Sequence, residues 1–154
     1  MRRLVVTTSE VSRPTSKWAA QRLGVERLKG AYAWQRFLHE QVPLAFGSDF
    51  PVESPNPMLG IYAAITRQDL KGQPPGGWLP DQKVSRIQAL AGFTRTAAYA
   101  AFMEREVGML KEGMRADFVV LNADPLTIPP RQIADLKPLS TWVDGKAVYE
   151  AGKN

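Results

Sequence analysis

The side chains whose type and setting suit acid-base, nucleophilic or metal chemistry are His39, Ser48, Asp49 and Glu53. Asp49 ends Pro43-Leu-Ala-Phe-Gly-Ser-Asp49, a brief apolar run that reads as a strand buried on both faces of an α/β sheet. The loop that follows such a strand is where α/β barrels carry catalytic residues. A carboxylate there can hold a divalent metal and take a proton from the metal's bound water. The plainer reading is that Asp49 caps a turn into Phe50-Pro-Val-Glu-Ser-Pro-Asn-Pro57. Glu53 lies four residues on, at helical spacing for a carboxylate pair, but Pro51 and Pro55 prevent a regular helix, so Glu53 reads as a solvated charge. Ser48 lacks the second glycine of a Gly-x-Ser-x-Gly elbow and a histidine placed to activate it.

His39 is the single histidine of 154 residues, which excludes an all-histidine metal site within one chain. It lies in Trp34-Gln-Arg-Phe-Leu-His-Glu-Gln-Val42, an amphipathic helix, and reads as a surface histidine whose cationic form suits the helix C-terminus. No cysteine is present, so thiolate nucleophiles, thiolate metal sites and disulfides are excluded. Gly76-Gly77 lacks the strand-before, helix-after setting of a phosphate cradle.

These residues must be positioned by alternating elements. Leu4–Thr8 reads as a strand and Ser9–Ser16 as a polar connection. Trp18–Leu23 reads as a short helix closed by Gly24, and a second helix covers about 31–41. Met58–Gln68 reads as a helix capped by Asn56 with Pro57 first, followed by a loop over Lys71–Pro80. Asp81 is the expected cap of a helix to about Phe93, and Thr94 begins another to about Glu106. Beyond it, Val107–Leu110 and Ala116–Leu121 read as β elements. Ser140–Val143 and Lys146–Glu150 form a hairpin through Asp144-Gly145. The expected division is a helix-rich region 1–106 and a β-rich region 107–154.

The composition, 44% hydrophobic and 23% charged, suits a globular core. No run approaches the roughly 20 apolar residues of a membrane span, and the first residues lack the apolar stretch of a signal peptide, so a cytoplasmic location is the expectation. The formal charge of +5 could attract nucleic acid, but the cations are scattered, with Arg2-Arg3 the only adjacent pair noted, and no aromatic-basic stripe is present. Trp18, Tyr32 and Trp34 read as core or interface anchors. Neither nucleic acid nor membrane is an expected partner.

Taken together, Gly47-Ser-Asp-Phe-Pro-Val-Glu-Ser-Pro-Asn-Pro57, Ile61-Tyr-Ala-Ala-Ile-Thr-Arg-Gln68, Gly108 to Leu121 and Thr141 to Glu150 resemble the C-terminal part of the metal-dependent amidohydrolases. The branch most similar is amidohydrolase family 3, which includes N-substituted formamide deformylases. The likeness runs from about Trp18 onward. It implies the α/β class: the last units of a TIM-like barrel, followed by strands of the small amidohydrolase β-sandwich. It also implies hydrolysis of a non-peptide carbon-nitrogen bond in a small amide-like substrate by metal-bound hydroxide. Asp49 would be both metal ligand and general base, and the divalent metal would be zinc.

The sequence departs from that pattern where the family supplies its other ligands. The His-x-His pair and the bridging residue are absent, and Thr8-Ser-Glu-Val-Ser-Arg-Pro-Thr-Ser-Lys-Trp18 lies where a further histidine belongs. One carboxylate cannot hold a zinc that takes three protein ligands in hydrolytic sites. The expectation is a truncated chain, inactive alone, that forms a homo-oligomer or meets a missing N-terminal half. The alternatives are a non-enzymatic assembly or binding module and a small enzyme using Asp49 with Glu53.

Overall fold

The computed structural model describes residues 4–7 and 15–153. Strand β1 (Leu4–Thr7) and strand β2 (Leu44–Gly47) pair in parallel, Leu4 opposite Leu44 and Thr7 opposite Gly47. Leu44, Ala45 and Phe46 are all buried, as a continuous apolar run in a parallel pair requires. The connection between the strands carries helices α1 (Thr15–Leu28) and α2 (Trp34–His39). Gly24, at φ 71°, breaks α1 where the sequence predicts its end, but the chain regains helical form to Leu28. The polar connection over Ser9–Ser16 lies outside the described residues as far as Pro14, as does the side chain of Trp18, whereas Thr15 and Ser16 begin α1.

Helix α3 (Pro57–Thr66) follows the expected chemistry. Asn56 Oδ1 accepts from the Met58 N–H at 3.0 Å, and Pro57 takes the first helical position, where a missing N–H costs nothing. Gly60, Ile61, Tyr62, Ala63 and Ala64 are buried in succession, so α3 is enclosed nearly all round, its small residues permitting close approach. It packs against the 3-10 segment Pro130–Asp135, whose Ile133 joins Ile61, Trp34 and Leu136 in the core. Each such side chain contributes about 1.5–3 kcal/mol by leaving water.

Helices α4 (Arg86–Phe93) and α5 (Arg95–Ala100) lie against β2. Two expectations need correction here. Asp81 sits in a 3-10 turn, Pro80–Gln82, and the true cap of α4 is Ser85, which accepts from Gln88 N while Gln88 Oε1 accepts from Ser85 N. The last helix stops at Ala100 rather than near Glu106. Phe102, inside the span expected to be helical, has φ 64° and is exposed, because the chain turns before a further helical turn is built.

The C-terminal sheet has the order β3 (Phe118–Leu121), β4 (Pro138–Val143), β5 (Lys146–Glu150), all antiparallel. Val107–Leu110, predicted as a β element, is not a strand. Asp144 (φ 52°) and Gly145 (φ 74°) make the two-residue turn between β4 and β5, both in the left-handed region such hairpins need. The turn is docked: Asp144 N–H donates to Asp117 Oδ1 at 2.7 Å, and Gly145 N–H to the Ala116 carbonyl at 3.0 Å. Phe118 and Trp142 stack at 5.5 Å across the sheet. Val119, Val120, Leu139, Val143, Val148 and Tyr149 nevertheless remain exposed.

Candidate functional site

Asp49 stands two residues beyond the C-terminal end of β2, in the setting the sequence predicts. Its φ of 51° is left-handed, a conformation that aspartate tolerates better than most residues, and its carbonyl accepts from Val52 N–H at 2.8 Å to close a tight turn. The side chain is exposed at this end of the parallel pair. Phe50 and Val52, on the same turn, are 67% and 55% exposed, which puts two large apolar groups beside the carboxylate.

The elements beneath hold β2 firmly. Phe46, one turn of strand before Asp49, meets Trp34 edge-on at 5.3 Å and Phe93 at 5.8 Å. Gly92 on α4 admits the ring, since a Cβ there would lie 2.3 Å from Phe46 Cδ2. Asp49 therefore projects from a strand wedged by aromatic contacts on its helix side.

His39 is the last residue of α2, with its side chain 87% exposed and Nδ1 3.8 Å from Glu40 Oε1. It is the surface histidine the sequence reading predicts. Because α2 leads into the start of β2, His39 lies at the strand's opposite end from Asp49 and is not brought to it. Glu53 is half-buried in the proline-rich loop, not fully solvated as predicted. Among the described residues no cluster of three or more His, Cys, Asp or Glu side chains is placed to hold a metal ion. The donor set does not fit a zinc ion: Asp49 offers one carboxylate where three protein ligands are needed.

Arg67 has no role in the sequence reading, yet it is fully buried. It is the left-handed C-cap of α3, and its guanidinium lies 4.3 Å from the Trp34 ring centre and 5.2 Å from that of Trp78. Nε donates to the Trp78 carbonyl at 2.8 Å and Nη1 to the Tyr32 carbonyl at 3.3 Å. Burial lowers its pKa to about 10, with Tyr32 acting in the opposite direction, so it stays protonated at neutral pH. This cation ties the Gln68–Trp78 loop to the start of α2. The only signal available was an arginine among three aromatic residues distant in sequence, a pattern that closes only in three dimensions.

Comparison with known proteins bears on the whole chain. Residues 3–149 match the amidohydrolase family. The putative amidohydrolase YtcJ of Bacillus subtilis is 34% identical over 133 residues, 86% of this chain and 25% of that protein. The N-substituted formamide deformylase of Arthrobacter pascens is 31% identical over 109 residues, 71% of this chain and 20% of that one. The crystal structure of an uncharacterized metal-dependent hydrolase from Pyrococcus horikoshii superposes with a TM-score of 0.72 at 29% identity, covering 83% of this chain and 26% of that one. The chain thus spans about a quarter of the length of such relatives, including the segment that carries Asp49 and the C-terminal sheet. A match over so much of the chain, in sequence and in fold together, makes it a member of the amidohydrolase family.

Proposed function

We propose that this chain is the C-terminal portion of a metal-assisted hydrolase of non-peptide carbon-nitrogen bonds, and that Asp49 is its contribution to the reaction. In this reading β1 and β2 are the last strands of a TIM-like barrel, and β3 to β5 are part of a β-sandwich. The site takes a small amide-like substrate, as the name of the Arthrobacter relative suggests. Asp49 accepts the proton of the attacking water as the new carbon-oxygen bond forms. It returns that proton to the departing nitrogen as the carbon-nitrogen bond breaks. Asp49 alone does not suffice for a zinc ion, so in this reading it would be one ligand to a divalent metal whose imidazoles would come from protein outside this sequence.

The observation that carries the proposal is the exposed Asp49 carboxylate beyond the end of a buried parallel strand, in a chain that matches the family over residues 3–149. Phe50 and Val52 support the corollary that further protein, a companion half or a second copy, covers this end. Alone the chain is inactive.

The test measures zinc by mass spectrometry on the untagged chain, alone and mixed with the part of YtcJ that precedes its matching segment. The expected result is negligible zinc alone, about one zinc per complex when mixed, and loss of any amide hydrolysis in Asp49→Asn. Stoichiometric zinc on the lone chain, or unchanged turnover in the Asp49→Asn complex, would overturn the assignment. A complex that never forms favours the alternative, an assembly module derived from an amidohydrolase.

A further inference from the structure

We propose that a groove at the Pro43 end of β2 binds a small molecule that joins an apolar body to a carboxylate. The groove has a volume of about 260 Å³. Its apolar lining is Leu44 and Phe46 of β2, Leu38 and Val42 from the end of α2, and Val84 and Ala91 on the α4 side. It exists because α4 and α5 do not run on as one helix. Thr94, at φ −124° and ψ −99°, breaks them apart, and α5 leaves the line of α4.

The polar lining decides the ligand. Arg95 and Thr96 are consecutive on α5, and neither side chain has a hydrogen bond or ion pair among the described residues. Gln88 Oε1 is occupied by the Ser85 N–H, which leaves Nε2 as its available donor. Among the described residues, no aspartate or glutamate lines the groove. Among the described residues, one permanent cation, a hydroxyl and the side-chain amides of Gln41 and Gln88 therefore line an apolar floor, a combination suited to an anion with an apolar tail. A single guanidinium matches a carboxylate in charge and in planar geometry. Asp49 follows the other end of β2, so this occupant is not the substrate of the reaction above.

The test is a titration of the isotopically labelled full chain, followed by amide chemical shifts at constant ionic strength, with benzoate, benzyl alcohol and acetate as probes. Benzoate is expected to give saturable shifts at Leu38, Ala91 and Thr96 with a dissociation constant of about 1 mM, as suits so few heavy atoms. Benzyl alcohol, which keeps the ring but loses the charge, and acetate, which keeps the charge but loses the ring, should each bind about tenfold more weakly. Arg95→Gln, at an exposed position, should fold normally and lose about tenfold for benzoate. Equal binding of benzoate and benzyl alcohol, equal binding of benzoate and acetate, shifts centred elsewhere, or an unaffected Arg95→Gln chain would each overturn the proposal. Ala91→Phe supplies a second variant: filling the groove should abolish the shifts, and undiminished binding to the folded variant would also overturn it.

Discussion

Replacing Gly92 with alanine tests how β2 is held. The added Cβ would lie 2.3 Å from Phe46 Cδ2, 2.9 Å from Cε2 and 3.1 Å from Cγ. Carbon atoms pack at about 3.5 Å or more, so the ring and the helix must separate by about 1.2 Å. Phe46 cannot swing away freely, since it is buried and confined by Trp34 and Phe93. Overpacking of this kind costs about 1–3 kcal/mol, whereas alanine in place of glycine inside a helix returns about 1 kcal/mol. An overlap this deep against a confined ring belongs to the upper part of that range, about 2–3 kcal/mol, so the net expectation is a loss of about 1–2 kcal/mol. In urea unfolding followed by tryptophan fluorescence, the midpoint should fall by about 0.5–1 M. Gly30→Ala is the control, because its Cβ meets only the Arg27 carbonyl, at 3.7 Å. Phe46→Leu in the Gly92→Ala background should show favourable coupling of about 1 kcal/mol, since the smaller side chain removes the clash. The reasoning is refuted if Gly92→Ala is as stable as the parent, or if the two substitutions simply add.

Other substitutions probe the loop above α3. Gly77→Ala places a Cβ 2.3 Å from the Thr66 carbonyl oxygen, at a φ of +89°, so it combines backbone strain with a clash against main chain and should cost about 2 kcal/mol or more in the same unfolding assay. Arg67→Gln leaves the carbonyl of Tyr32 or Trp78 without its donor and should cost about 2 kcal/mol. Because burial lowers the Arg67 pKa only to about 10, folded and unfolded chains both keep its proton at lower pH. The unfolded state binds the extra proton only above that value, where stability would rise with pH. The deficit of Arg67→Gln should therefore be constant between pH 6 and 9, and a change across that range would contradict the assignment.

Much of the site end of the fold was legible because its signals are local. An apolar run bounded by Pro43 and Gly47-Ser48 can only be a short buried strand or a buried turn of helix, and its length decides for the strand. Asn56-Pro57 and Asp144-Gly145 work through atoms within a few residues, so α3 and the β4–β5 turn follow from the sequence alone. The start of α4 is ambiguous in the sequence because Asp81 and Ser85 are both acceptable caps. The choice fell to Gln88, whose side chain completes the box with Ser85. The buried state of Arg67 needs Tyr32, Trp34 and Trp78 at once, and no local rule assembles them.

The C-terminal sheet leaves apolar side chains in water, and its strands lie within 33 residues of one another, from Phe118 to Glu150. Leu121, partly buried, links the sheet to the core through its first strand, whereas β2 and α3 are enclosed by it. Opening β4 and β5 therefore exposes little new apolar surface, and their amides should exchange with solvent at a lower free energy than those of α3. The chain is then expected to open as two cooperative units of unequal strength. The strand that carries Asp49 belongs to the stronger one and keeps its place while the tail opens and recloses.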